Sequence, residues 1–250
     1  MYQPLSRRGN KPSSEDVIAN AHPNRAHDPS IANRVVFTVL MGLNLWYYLH
    51  NLGSQCESTT SSSTSLQYHL LRWCGIIYIL RVFVSMNIFL FQRAMLMKAA
   101  ILVNIFFLLV FTSYSKLSVI STDTPESPLR QASHYLGLFF YVIGSVLNTF
   151  SEGHRWVWKM DAAHTGKIFT LGLWSHSRHV NYLGDILVFF GWALLTHSQF
   201  EINLWAPLFV LHGFLTKYIP ENEAYLQSRY GEQFRQYCQS TKWLLLPFVY

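Results

Sequence analysis

The chain has 250 residues, of which half are apolar, 16% are aromatic and only 13% are charged, against about 25% charged in an ordinary soluble domain. That excludes soluble enzymes, and three cysteines in separate segments (Cys56, Cys74, Cys238) with no CxxC spacing exclude a disulfide scaffold and imply no thiol site. The net charge of +6 comes from Lys and Arg spread along the chain, so nucleic acid is not the expected partner.

Residues 1–34 are polar and carry Pro4, Pro12, Pro23 and Pro29, which predicts a disordered cytosolic tail with no cleavable signal peptide. The first apolar run, from Val35, would act as an uncleaved signal anchor. A helix needs about 20 apolar residues to cross the hydrocarbon layer, and six segments approach that length: Val35–Leu52, Trp73–Phe91, Ala94–Tyr114, Tyr135–Phe150, Tyr182–His197 and Ile202–Ile219. The predicted fold is an all-α polytopic transmembrane helix bundle of about six spans with a cytosolic C-terminal helical tail. Residues 35–150 hold the N-terminal transmembrane helices and residues 151–250 a chemically richer C-terminal half.

Basic residues gather before the first span, at Arg93, between Arg155 and Arg178, and after Lys217, while the opposite side keeps Lys116 and Arg130. The positive-inside rule then puts both termini in the cytosol and the Ser/Thr-rich loop Gly53–Gln67 in the lumen. Lys98 stands near a span end and can snorkel. Arg81 stands near the middle of the second span, where it pairs with backbone carbonyls, with Asp185 or with an anionic ligand.

The chemistry concentrates after Ser151, in a predicted cytosolic loop reading SEGHRWVWKMDAAHTGKIFTLGLWSHSRH before the fifth span. Arg155 and Lys159 are four apart, on one face of any helix there, a spacing that suits two cations on a polyphosphate or two interfacial anchors beside Trp156 and Trp158. His154, His164, His176 and His179 lack the compact partner set of a zinc site, so no metal is expected. No GxGxxG, Walker or GxSxG element is present. After the last span, Pro220 suits the first turn of a helix, Glu221 and Glu223 its positive end and Gly231 its stop. A short amphipathic stretch with Phe234 and Tyr237 follows, and the apolar LLLPFVY end is expected to dock on the membrane face.

GLWSHSRHVNYLGD, followed by ENE, RYG, YC and a terminal PFVY, resembles the C-terminal half of the membrane sterol reductases. It resembles as closely the short relatives with a steroid 5-alpha-reductase-like C-terminal domain. The wider superfamily takes in the isoprenylcysteine carboxyl methyltransferases. The resemblance covers about residues 151–250 and implies an NADPH pocket open to the cytosol. In it Arg155 and Lys159 would meet cofactor phosphates, Trp174 would pack nearby, and Asn181 and Tyr182 would hydrogen-bond the cofactor. Glu223, Arg229, Tyr230 and Tyr237 would close over its adenosine end.

The implied activity is reduction of a carbon–carbon double bond in a steroid-like or other lipophilic substrate in the endoplasmic reticulum membrane, among membrane lipids. Tyr182, Asp185 and Tyr141 are the candidate proton donors. The chain departs from the family pattern at Val180, where proline is usual, and at Asn222, where the sterol reductases have an acid. No early span holds a Glu that could match the Gln-Glu pair of the steroid 5-alpha reductases. Two alternatives stand beside the reductase. One is an S-adenosylmethionine-dependent lipid or isoprenylcysteine methyltransferase, fitting His179, Tyr182, Gly184 and Glu223. The other is a non-catalytic membrane protein that keeps the fold.

Overall fold

The computed structural model describes residues 30–57, 62–90, 95–115, 128–196 and 200–247, and all regular structure among them is helical. Helix α1 spans Ile31–Glu57, α2 Ser62–Val84, α3 Met97–Tyr114, α4 Pro128–Met160 and α5 Val180–Leu195. The short α6 (Phe200–Asn203) leads into α7 (Trp205–Gly213), then α8 (Ile219–Tyr230) and α9 (Glu232–Ser240). Among the described residues Leu66–Phe89 and Met97–Tyr114 are long and apolar enough to cross a membrane, with mean hydropathies of 1.4 and 1.8.

Helix α4 is built inside out. Its buried residues are Arg130, His134, Gly137, Tyr141, Gly144, Asn148, Ser151 and Glu152, a 4-3-4-3 stripe of polar and small side chains. Leu136, Phe139, Val142, Val146 and Phe150 lie on the exposed side. A water-facing helix would reverse this arrangement, whereas lipid favours it.

The small stripe lets α4 and α5 pack backbone to backbone, the most extensive helix pairing among the described residues. A Cβ on Gly144 would fall 2.6 Å from the carbonyl oxygen of Gly184, and one on Gly191 would fall 2.4 Å from the nitrogen of Tyr141. On the other side of α5, fully buried Trp192 meets the rings of Tyr48, Tyr78, Phe111, Tyr114 and Tyr141 at centroid distances of 5.8, 5.6, 5.8, 5.3 and 6.0 Å. One indole thereby holds α1 to α4 against α5, through edge and tilted contacts that suit the ring quadrupoles.

Four expectations about boundaries are corrected. The loop Gly53–Gln67 is helical at both ends: α1 runs through Glu57 and α2 starts at Ser62. Gln67 is buried and donates to Leu195 O at 3.1 Å, so this polar residue is spent on tertiary contact rather than on a loop. The tail expected through Arg34 gives way to helix at Ile31, and Arg34 donates to Leu90 O at 2.6 Å and to Met86 O. The rest of that tail lies outside the described residues.

Ser151–Met160 continues α4 instead of forming a loop, because its polar side chains line a buried face. The last span is not one regular helix: α6 breaks at Leu204, and a wider π turn, Phe214–Tyr218, separates α7 from α8. Pro220 cannot donate to the carbonyl of Thr216 and its ring crowds that group, which accounts for the widened turn. Pro220 does occupy the first turn of α8, and Gly231 ends it at φ +51°, a conformation that favours glycine. Phe234 and Tyr237 are buried on α9, as their spacing predicts.

Candidate functional site

The C-terminal end of α4, the N-terminus of α5 and helices α8 and α9 converge on residues 161–179. Outermost is Lys159, exposed on the last turn of α4. Its Nζ donates to the Tyr230 hydroxyl at 3.2 Å and to Lys167 O, between the rings of Trp158 (5.1 Å) and Tyr230 (5.2 Å). The Arg229 guanidinium carbon lies 5.9 Å from the same Tyr230 ring. No carboxylate among the described residues pairs with Lys159.

Two turns inward is a carboxylate that no sequence motif marks. Glu152 is buried, takes Asn181 Nδ2 at 2.8 Å on Oε1, and takes Arg155 Nε at 3.1 Å and Arg155 Nη2 on Oε2. Asn148 Nδ2 donates to Asn181 O at 3.0 Å. The Oδ1 of Asn181 is shielded and has no hydrogen-bond partner among the described residues. Because the Glu152 carboxylate only accepts, the amide must turn Nδ2 towards it. Trp174 is held by its Nε1 donating to Ser151 O at 3.0 Å and by Tyr237 OH donating to Trp174 O at 2.6 Å. The Arg155 guanidinium stands 5.9 Å from the Trp174 ring, and burial pushes the Tyr237 phenol pKa up.

A second polar knot ties the start of α5 to α8 and the tail. Glu223 Oε1 accepts from Arg178 Nε at 2.8 Å and from His179 Nε2 at 3.3 Å. Arg178 also donates to Thr241 O at 2.6 Å and Lys242 O at 3.1 Å. The backbone N–H groups of Arg178 and His179 donate to Trp243 O and Leu244 O. The described part of the terminal segment thus lies on this turn. Partial burial alone would raise the Glu223 carboxyl, but the hydrogen bonds from His179 and Arg178, with their charge, outweigh it and hold it below its ordinary value. Tyr182 is stacked between His179 (5.2 Å, 11°) and Phe214 (4.3 Å, 10°).

The two other proton-donor candidates lie deeper and apart from Tyr182. Asp185, one turn along α5 from Asn181, takes Arg81 Nη2 at 2.9 Å, which decides the Arg81 partner left open by the sequence. Tyr141 OH donates to Cys74 O at 2.6 Å. Arg155, Trp174, Tyr237 and Asn181 are therefore brought together around Glu152, Lys159 meets Tyr230 and Arg229, and Glu223 reaches Tyr182 through His179.

The other three histidines serve separate contacts: His164 stacks on Trp158 at 3.9 Å, His154 meets Phe169 at 5.0 Å and His176 lies 3.1 Å from Ser175 Oγ. Among the described residues no group of three or more His, Cys, Asp or Glu could hold a metal ion. A cavity lined by Leu43, Asn44, Trp46, Tyr47, Leu108 and Leu109 opens between α1 and α3 and shares no residue with this cluster.

A polyanion bearing an amide fits this donor set. Lys159 offers a charge at the rim that no described carboxylate compensates, and Asn181 Oδ1 offers a buried acceptor that an amide N–H can fill. The sequence signal for Glu152 was present in the 4-3 stripe of α4, where it continues the series Gly137, Tyr141, Gly144, Asn148.

A family model described as a protein of unknown function (DUF1295) matches residues 81–241. A Delta(14)-sterol reductase of Schizosaccharomyces pombe is 30% identical over 87 residues, covering 34% of this chain and 20% of that protein. A Delta(14)-sterol reductase of Candida albicans is 27% identical over 117 residues, covering 45% and 26%. The 3-oxo-5-alpha-steroid 4-dehydrogenase 2 of Mus musculus is 25% identical over 132 residues, covering 53% and 49%. The chain thus spans between a fifth and a half of the length of these relatives.

Proposed function

The chain belongs to the DUF1295 family, a steroid 5-alpha-reductase-like family, and on that premise we propose that it is a membrane reductase of a carbon–carbon double bond in a steroid-like or other lipophilic substrate. NADPH would lie against the cytosolic ends of α4 and α5. The single observation that carries the cofactor is Lys159, a cation with aromatic walls and no carboxylate partner among the described residues. The names of the relatives carry the reaction class.

Bound there, NADPH supplies the hydride. Lys159 and Arg229 would hold phosphate oxygens, and Arg155, already paired with Glu152, would keep Asn181 and Trp174 in register beside them. Asn181 would accept an amide N–H on Oδ1. Tyr182 would give the second hydrogen as a proton. It stands in the first turn of α5, whose N-terminal dipole favours the resulting phenolate, and Arg155 lies within electrostatic reach. Water would return the proton, so substrate, hydride and one proton balance to the saturated product. Asp185, as an ion-paired carboxylate, and Tyr141, with its proton committed to Cys74 O, are less suited to that role.

The inside-out α4 supports a polytopic arrangement, and the proposal includes six spans, both termini cytosolic, in the endoplasmic reticulum membrane. The deciding experiment is equilibrium binding of tritiated NADPH and of tritiated S-adenosylmethionine to the detergent-purified full chain. Saturable NADPH binding alone is expected. Saturable S-adenosylmethionine binding alone would make the protein a methyltransferase, and binding of neither would leave it non-catalytic.

A further inference from the structure

Arg81 is the most costly side chain that this function does not use. It lies within the apolar stretch Leu66–Phe89, and its side chain is 6% exposed. Nη2 is taken by Asp185, and the Tyr78 hydroxyl is a further polar neighbour of the guanidinium. Nε and Nη1 are fully shielded and have no hydrogen-bond partner among the described residues. Tyr78, one turn earlier on α2, sets its ring 5.0 Å from the guanidinium carbon, within cation–π range. Donors left unfilled in a lipid layer are expensive, and a purely structural ion pair would gain from filling them.

The occupant's chemistry follows from the charges. The Asp185 carboxylate already neutralises the guanidinium at 2.9 Å, so a second anion would meet a carboxylate as well as a cation. A neutral acceptor oxygen meets the two N–H groups that have no partner among the described residues, beside the phenol of Tyr78. Asp185 is the more open partner, with its side chain 26% exposed, and it stands on the same face of α5 as Asn181, one turn away. The pair therefore lies directly below the acceptor assigned to the cofactor.

We propose that Arg81, anchored by Asp185, receives a neutral carbonyl oxygen carried into the membrane layer, either the ketone of a lipophilic substrate or the carboxamide of the dinucleotide. This deepens the reductase reading and rests on it only for the carboxamide source.

The test uses the detergent-purified full chain and two matched pairs of probes. 5α-Cholestan-3-one and 5α-cholestane differ by the oxygen alone and offer no double bond to reduce. NADPH and 2′-phospho-ADP-ribose differ by the nicotinamide ring. For the ketone source, the wild type binds the ketone about tenfold or more tighter than the hydrocarbon. The charge-neutral double variant Arg81→Gln, Asp185→Asn then loses that preference while its NADPH affinity is unchanged. For the carboxamide source, the ketone shows no preference and the double variant loses the advantage of NADPH over 2′-phospho-ADP-ribose. The proposal is overturned if the wild type shows neither preference, or if the preference it shows persists in the double variant. The wild-type comparison needs no variant to fold. A wild type that binds no NADPH but prefers the ketone sinks the reductase reading and keeps this one.

Discussion

Glu152 and Asn181 meet at 2.8 Å across the α4–α5 interface, and this contact makes Asn181 the keystone of a polar cluster. Asn181→Leu should therefore act twice. It removes one donor from the buried Glu152 carboxylate, which costs about 1–3 kcal/mol, and it deletes the Oδ1 acceptor. The expected outcome is a lower melting temperature in detergent together with NADPH affinity reduced by tenfold or more. Asn181→Leu with normal NADPH affinity and only a lower melting temperature would confine the residue to packing.

The glycine seam predicts a contrast between substitutions of the same kind. In Gly144→Ala the new methyl falls 2.6 Å from Gly184 O and 2.7 Å from Val188 N, and in Gly184→Ala it falls 2.6 Å from Asn148 N. These are backbone atoms that cannot step aside. Each change should cost about 1–3 kcal/mol or more through forced separation of the helices. Gly42→Ala meets nothing within 4 Å on α1 and should gain about 0.5–1 kcal/mol from helix propensity. Thermal unfolding in one detergent would compare all three, and equal effects would refute the seam.

Apolar run length made α1, α2, α3 and α5 legible in the sequence, and Pro220 and Gly231 bracketed α8, because these signals are local. What escaped was polar and long-range. Ser151–Met160 looks like a loop to any rule that counts apolar residues, yet it is helix, because in lipid the buried face of α4 is the polar one. Gln67 looks like loop for the same reason, and its partner Leu195 is 128 residues away. Arg155 and Lys159 were legible as a pair on one helix face. Glu152, three residues before Arg155 on the same helix, pairs with it locally; the fate of Lys159 was not legible, since only the fold brings it to Tyr230, 71 residues away, with no carboxylate partner among the described residues.

Glu223 predicts a pH dependence. Its carboxyl is held below the ordinary value by His179 and Arg178, so the unfolded chain binds the proton more readily. The resulting stability is fully present above the unfolded value of about 4.3 and is lost as pH falls through the lower folded value. Melting curves of wild type and Glu223→Gln should differ at pH 6 and draw together as pH falls below the unfolded value of about 4.3 and through the lowered folded one. A gap that stays constant down to pH 3 would remove the carboxylate from the account.

Topology is open to a direct assay. No Asn-x-Ser/Thr acceptor occurs in the sequence, so one must be inserted. Because α1 and α2 extend to Glu57 and Ser62, the loop can carry it only between them. An acceptor at the end of a flexible insert there should be glycosylated. The same insert between Gly166 and Lys167, and a C-terminal tag, should stay unmodified if both lie in the cytosol. A modified C-terminal tag would overturn the six-span arrangement.

Arg155 and Lys159 lie one turn apart, and their removal should give opposite signatures. Arg155→Ala removes an ion-pair partner of Glu152 inside a buried cluster, so it should lower stability by about 1–3 kcal/mol and disturb the Asn181 and Trp174 positions with it. Lys159 is exposed and pairs with a phenol and a carbonyl, so Lys159→Met should leave the melting temperature nearly unchanged, within about 0.5 kcal/mol. Its effect should fall on the cofactor. A charge-assisted phosphate contact is worth about 1.5–3 kcal/mol, which is roughly ten- to a hundredfold in affinity. Screening makes the loss larger at low salt than at high salt. The measurement is NADPH affinity at 20 mM and 500 mM salt alongside thermal unfolding for each variant. An unfolding defect in Lys159→Met with unchanged affinity at both salts would return Lys159 to the role of an interfacial anchor, and the cofactor phosphates would have to be held elsewhere.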